Sequence, residues 1–266
     1  MGFLRGEAPL LLSAPHGGWQ EIPGPDRRTL IENGRPAFCK PDGWCAKLVQ
    51  EVAQAFAEAS GLRPYVVFAQ VHRAYVDPNR PPKAGYHPQN PRARQVWERY
   101  HCQLRAFVGE MRERFRPSQA LLLDLHGSNV RRRMQEGALF PGGDPRYGLL
   151  LGSLKGSGVR SIARLQAEQG PAVLYRPGGL RSRLHGLLLG RGPTQAPLYV
   201  WPRSEDDPEP LNGRYLLSTY GSHRPEGLPA LQLEHSRELR ADEAVRQQYA
   251  GLLAQAVWDF LQEIAG

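Results

Sequence analysis

Three hydrophobic runs in this chain end in a residue that can bind a metal or move a proton: LLLSAPHGG at His16, LLLDLHGS at His126 and LPALQLEHS at Glu234. In an open α/β sheet the carboxyl ends of the strands converge on one crevice, where ligands bind. Three such endings therefore predict one site assembled from distant sequence, with the chemistry of a metal hydrolase.

His16 follows Pro15, which stiffens the exit from its strand, and precedes Gly17 and Gly18, which let the backbone turn closely. That leaves an imidazole above the sheet edge, either as a ligand or as the partner of a loop hydrogen bond. His126 repeats the arrangement: an apolar strand with Asp124 in it, the histidine, then Gly127 and Ser128. Catalytic zinc takes three protein ligands, commonly imidazole nitrogens and a carboxylate, and keeps a fourth position open. Two histidines supply two. The third is a carboxylate, and the residues leave two candidates open: Asp42 in KPDGW, which also reads as a helix N-cap, and Glu21 in HGGWQEIP, which also reads as an exposed loop acid. Iron, manganese or cobalt would accept the same donors.

The segment HRAYVDPNR (72–80) follows another apolar run. Arg80 presents a planar fork matched to a carboxylate and Asn79 adds a donor beside it, which is the chemistry of an anion clamp. Asp-Pro-Asn is also good turn chemistry, with Arg80 then solvated.

Positioning these residues requires strands alternating with helices. Strands are predicted at 8–13, 64–71, 119–125, 148–153, 172–176 and 228–234. Helices are predicted at 43–59, from Arg92 to Phe115, at 161–168 and from Asp242 to Ile264. Leu48, Val49, Val52 and Phe56 share one face of the first helix, which Gly61 ends. Residues 177–213 are rich in Gly and Pro and read as a long excursion within a single domain spanning 1–266. The alternation implies a three-layer α/β/α architecture around a mixed, mostly parallel sheet.

The 266 residues, 41% hydrophobic and 23% charged, suffice for one large core. No apolar run approaches a membrane span, the N-terminal LLL is too short for a signal peptide, and Gly2 lacks a Ser or Thr at position 6 for myristoylation. Cys39, Cys45 and Cys102 are odd in number and lack C-x-x-C spacing, which argues against structural disulfides. Together these features predict a cytoplasmic protein. The net charge of +8 would attract an acidic partner. Its densest cluster, Arg131 to Arg133, directly follows the His126 segment, where a funnel for a small anionic substrate is at least as good a reading as nucleic-acid contact.

The pieces SAPHGG (13–18), PDGW (41–44), HRAYVDPNR (72–80), LLDLHGS (122–128), NGRYLLSTYG (212–221) and LQLEHSREL (231–239) resemble the N-formylglutamate amidohydrolase family, relatives of the zinc carboxypeptidases. They come in the family's order from about residue 9 to 262. The chain departs from the family's pattern at Trp44 and Pro78.

The resemblance implies a zinc-carboxypeptidase-like fold and one Zn2+ held by His16, Asp42 and His126. It makes Glu234 the general acid/base and Asn79 with Arg80 the carboxylate grip. Arg73 lies where a positive charge could stabilise an oxyanion, and Arg237 either supports Glu234, contacts substrate or forms a structural ion pair. The implied activity is hydrolysis of the amide of a small anionic N-acyl amino acid, N-formylglutamate or a related carboxylate-bearing compound. Two other classes compete: an amidase or carboxypeptidase-like peptidase on peptide or cell-wall fragments, and a non-enzymatic anion or nucleic-acid binder whose histidines are structural.

Overall fold

Alternation of side chains along the central strands builds both the core and the site. The computed structural model describes residues 1–128, 147–153, 172–204 and 214–265, with 155, 157–159, 206 and 207. The described strands are β1 (Gly2–Leu4), β2 (Leu10–Ala14), β3 (Ile31–Glu32), β4 (Arg35–Pro36), β5 (Tyr65–Phe68), β6 (Leu121–Gly127), β7 (Tyr147–Gly152), β8 (Leu188–Leu189), β9 (Ala196–Trp201) and β10 (Ala230–His235). The described α-helices are α1 (Cys45–Ser60), α2 (Pro82–Gly85), α3 (Pro91–Arg114), α4 (Ala172–Tyr175), α5 (Leu180–Leu184), α6 (Arg214–Tyr220), α7 (Glu238–Ala241) and α8 (Glu243–Ala265).

Eight strands form one sheet in the order β1-β5-β2-β6-β10-β7-β9-β8, while β3 and β4 make a separate hairpin. The central run β5-β2-β6-β10 is parallel throughout, and β7 with β9 is parallel again. The antiparallel joints lie at β1–β5, β10–β7 and β8–β9. The sheet is mixed and mostly parallel, with helices on both faces.

Leu10, Leu12, Leu121, Leu123, Leu125, Leu231 and Leu233 point to the face covered by α1 and α8 and are fully buried there. Helix α1 forms because Leu48, Val49, Val52 and Phe56 fall on one stripe, all at 0% exposure. Burying each such side chain contributes about 1.5–3 kcal/mol. Gly61, at φ 74°, then stops the helix in the left-handed conformation that glycine accepts without a Cβ clash. The opposite face carries Leu11, Leu122 and Ala230 beneath α3 and α6, packed on Tyr100, Leu104, Phe107 and Leu216. Two residues further along each of these strands, the same face turns polar: Ser13, Asp124 and Gln232 lie in register, followed by His126 beside Glu234.

The structure revises two sequence expectations. Residues 172–176, expected as a strand, form the single helical turn α4, which buries Val173 and Leu174 in the main core. A short apolar run satisfies either conformation, and tertiary contacts chose. The Gly/Pro-rich stretch expected as an excursion is partly built into the sheet, since it supplies β8 and β9. The helix expected at 161–168 and the Arg131–Arg133 cluster lie outside the described residues. Among the described residues no helix is long and apolar enough to cross a membrane.

Candidate active site

Two loops close over the carboxyl end of β2 and carry the first donors. The Asp42 amide donates to the His16 carbonyl at 2.9 Å, which zips the PDGW loop to the SAPHGG loop. Gly17 lies so close to α1 that a Cβ there would sit 2.3 Å from the Ala46 nitrogen, so no other residue lets the His16 loop seat against the helix. Strand β6 then delivers His126 from the neighbouring position.

The donor atoms converge. His16 Nδ1 lies 3.1 Å from His126 Nδ1, and Asp42 Oδ2 lies 3.2 and 3.1 Å from these two nitrogens. Ligands at about 2.0–2.1 Å around tetrahedral zinc are separated by roughly 3.3 Å, so this triangle has the dimensions of one coordination face. Glu21 is exposed and takes no part in the cluster. Asp42 is not the cap of α1 either: Trp44 occupies that position, and the Asp42 carboxylate instead accepts from the Gly127 amide at 3.1 Å.

Both histidines are oriented from behind. His16 Nε2 is 2.6 Å from Asp77 Oδ1, and His126 Nε2 is 2.7 Å from Asp124 Oδ2. An ionised carboxylate only accepts, so each Nε2 carries the proton and each Nδ1 turns a lone pair toward the other. Two facing lone pairs beside a carboxylate repel unless a cation lies among them, and this donor set fits a divalent metal. Asp124 is steadied in turn by Ser13 Oγ at 2.7 Å, itself 2.8 Å from the Tyr100 hydroxyl. Such outer carboxylates fix the tautomer and ring orientation of metal-binding histidines.

The electrostatics agree. Burial opposes ionisation of Asp42, but His16 and His126 outweigh it and hold the carboxyl well below its usual range. Burial likewise opposes charge on His126, yet Asp124 and Asp42 raise its pKa well above normal. These carboxylates draw one positive charge to this spot, either a second proton on His126 or a metal ion that takes its place. Glu234 behaves oppositely: burial raises its carboxyl, partly offset by His126, and Gln232 Nε2 donates to it at 2.7 Å. Burial thus biases Glu234 toward holding a proton.

The remaining expected residues lie around the same cavity of about 1420 Å3. Arg73 donates to Asp77 Oδ2 at 2.9 Å, reaches within 3.6 Å of Asp42 Oδ1, and rests on the Phe38 ring. Asn79 is buried: its side-chain oxygen accepts from the Leu216 amide, its Nδ2 lies 3.3 Å from His126 Nε2, and its own amide is capped by Asp77 Oδ1. Arg80 donates to Glu32 at 3.1 Å and to the Asn79 carbonyl. Arg237 stands exposed at the mouth, 5.8 Å above the Trp44 ring.

Sequence reasoning missed three participants. Asp77 and Asp124 reach their histidines only through the folded register, although each lies within a segment singled out for other residues. Arg27 is fully buried, pairs with Glu32 and approaches Asp77 to 3.6 Å, and nothing in its local sequence marks it.

No curated protein matches the chain. The structure resembles the crystal structure of N-formylglutamate amidohydrolase from Ralstonia eutropha JMP134, with a TM-score of 0.55 and 17% identity over 98% of each chain. It also resembles a gene product of Agrobacterium tumefaciens, with a TM-score of 0.55 and 14% identity over 99% of this chain and 94% of that one. At these identities the likeness speaks for the fold. The sequence itself matches the family model for N-formylglutamate amidohydrolase over residues 8–241. That match takes in both histidines, the aspartate between them in sequence and Glu234, and the chain belongs to the N-formylglutamate amidohydrolase family.

Proposed function

We infer that this amide hydrolase is a cytoplasmic, zinc-dependent enzyme whose substrate is an N-acyl amino acid, N-formylglutamate or a close carboxylate-bearing relative. The observation that carries the reading is the convergence of His16 Nδ1, His126 Nδ1 and Asp42 Oδ2 within 3.2 Å, with Glu234 on the adjoining strand.

His16, Asp42 and His126 hold the metal, which supplies a Lewis acid that polarises the scissile carbonyl and eases ionisation of water. Glu234 takes the proton of the attacking water and returns it to the leaving amine, a role suited to a carboxyl whose pKa burial has raised. Arg73 offers its fixed charge where the carbonyl oxygen becomes negative. Its ion pair with Asp77 keeps the guanidinium aimed, so little reorganisation is needed as charge develops. The substrate's anionic end lies against the arginine-rich wall that Asn79 and Arg80 help to build, with Arg237 at the mouth.

A second reading has one specific observation behind it. Pockets for drug-sized ligands run to roughly 300–1,000 Å3. This cavity is larger, at about 1420 Å3, and is rimmed by the exposed rings of Trp19 and Phe38, which favours a longer peptide or cell-wall amide over a formyl amino acid.

Elemental analysis of the purified protein, combined with formate release from N-formyl-L-glutamate, tests the reading. One zinc per chain with formate release is the expected result. Metal without formate turns the search to peptidyl amides, and absence of any divalent metal overturns the reading.

A further inference from the structure

Along one wall of the cavity and in the layer buried behind it, arginines outnumber the carboxylates available to them. Arg27, Arg73, Arg80 and Arg214 gather there with Glu32, Asp77 and Asp42. Asp42 faces the two histidines, and Asp77 is shared between His16 and the guanidiniums of Arg73, Arg27 and Arg80. Glu32 is divided between Arg27 and Arg80. Every acid in the cluster is committed.

Three of the four arginines are committed as well. Arg27 also donates to the Ala84 carbonyl, Arg73 to that of Lys40, and Arg80 to that of Asn79. Arg214 differs. Among the described residues it has no hydrogen bond or ion pair, its side chain reaches solvent, and it lines the same cavity as His16, His126 and Glu234. Its backbone is left-handed at φ 44°, a conformation that costs a non-glycine residue energy and is kept where surroundings impose it.

We propose that Arg214 is the guanidinium that binds the substrate's carboxylate, while Arg80 and Asn79 serve as the wall that positions it. This deepens the reading given above and rests on it for the identity of the substrate.

A guanidinium that feels the like charges of Arg80 and Arg73 and has no ion pair of its own is unfavourable alone, and an incoming carboxylate relieves that repulsion while accepting two parallel N–H bonds. Partial burial, with the charges of Arg80 and Arg73, lowers the Arg214 pKa against the smaller pull of Asp77 and Glu32. Arg80 is poorly placed for the same task. To meet a substrate it would have to release Glu32, whose other partner, Arg27, is already shared with Asp77. Arg237 has the Trp44 ring beside it and stands at the mouth, outside the four-arginine cluster.

The test uses the purified metal-loaded protein with two probes. Glutarate, which carries carboxylates and no scissile amide, is titrated by calorimetry, and N-formyl-L-glutamate turnover is followed separately. Arg214→Gln should weaken glutarate binding by roughly 10- to 100-fold, the worth of a charge-assisted pair, and raise KM by a similar factor with kcat within a few-fold. Arg214→Lys, which keeps the charge and loses the fork, should fall between wild type and Arg214→Gln. Arg94→Gln, on the exposed surface of α3, should bind as wild type. Unchanged glutarate binding in Arg214→Gln, or no millimolar binding by the wild type, overturns the assignment. If binding depends on Arg214 but no formate is released, the formylglutamate reading fails and the anchor stands. If formate is released and Arg214→Gln leaves KM unchanged, the anchor falls and the reading stands.

Discussion

His126 and Glu234 occupy the same rung of the parallel ladder between β6 and β10, so a candidate metal ligand and a candidate proton carrier sit side by side on adjacent strands. Neighbouring strands lie about 4.8 Å apart, which fixes the separation of the two backbones without help from any loop. Two residues earlier on each strand, Asp124 and Gln232 repeat the pairing on the same face, and each then serves the residue two positions on: Asp124 orients His126, and Gln232 donates to Glu234. The period of two that sorts leucines into the core thus also aligns the reactive groups with their supports.

This arrangement separates proton transfer from metal binding. Glu234→Gln should retain full metal occupancy and lose turnover by about 10²–10⁴-fold, the usual worth of a positioned acid or base. Metal content and kcat measured on one preparation check it. Near-normal kcat would remove Glu234 from the reaction.

The ligands should respond in the opposite way. His16→Ala or His126→Ala should abolish stoichiometric metal, because either change leaves only two donors of the triangle. Unchanged occupancy in both variants would refute the assignment.

Asp124→Asn probes the layer behind the ligands. An amide can present its NH2 to His126 Nε2, which would favour moving the ring proton to Nδ1, the atom that faces His16 and Asp42. Metal affinity should fall by about 10- to 100-fold while the fold persists. Competition against a chelator measures the shift, and an affinity equal to wild type would show that Asp124 does not set the tautomer.

Much of this was legible in the sequence, and the parts that were not share a cause. Strands β2, β6 and β10 announce themselves as continuous apolar runs because both faces are covered, and α1 and α8 by their helical period. His16 and His126 stand out as polar endings to those runs. Strands β3 and β4 have two residues each and carry no period, and β9 hides within a Pro/Gly-rich stretch. The residues alone left Asp42 and Glu21 open and the resemblance pointed to Asp42; the hydrogen bond that joins the two loops shows how Asp42 reaches the histidines. Arg27 and Arg214 acquire meaning only from the charges folding brings beside them, which no local pattern encodes.

Arg27 gives a stability prediction of that kind. It is fully buried between Glu32 on the β3–β4 hairpin and Asp77 behind His16, and also donates to the Ala84 carbonyl. Removing one partner of a buried ionic network leaves uncompensated charge, so Arg27→Ala should cost about 3–5 kcal/mol. Denaturant unfolding measures the loss. A change below about 1 kcal/mol, the range of an exposed pair, would show that the network is solvated in solution.

Helix α3 supplies a dependence on pH. His101 is buried between the Tyr220 hydroxyl and the Pro78 carbonyl, at 2.8 and 3.0 Å. Burial lowers its pKa to about 4 from an ordinary 6.5, only partly offset by the Pro78 carbonyl. The folded state therefore prefers the neutral ring, and protons bind the unfolded chain first. Its contribution is complete above pH 6.5 and is lost progressively as pH falls toward 4, by about 3 kcal/mol in all. Acidic groups also lose stability in this range, so the measurement is a difference. Wild type and His101→Gln are unfolded in urea at pH 7 and at pH 4.5, and the variant should lose less stability between them. Equal losses would mean that His101 titrates alike in both states and that its burial is relieved in solution.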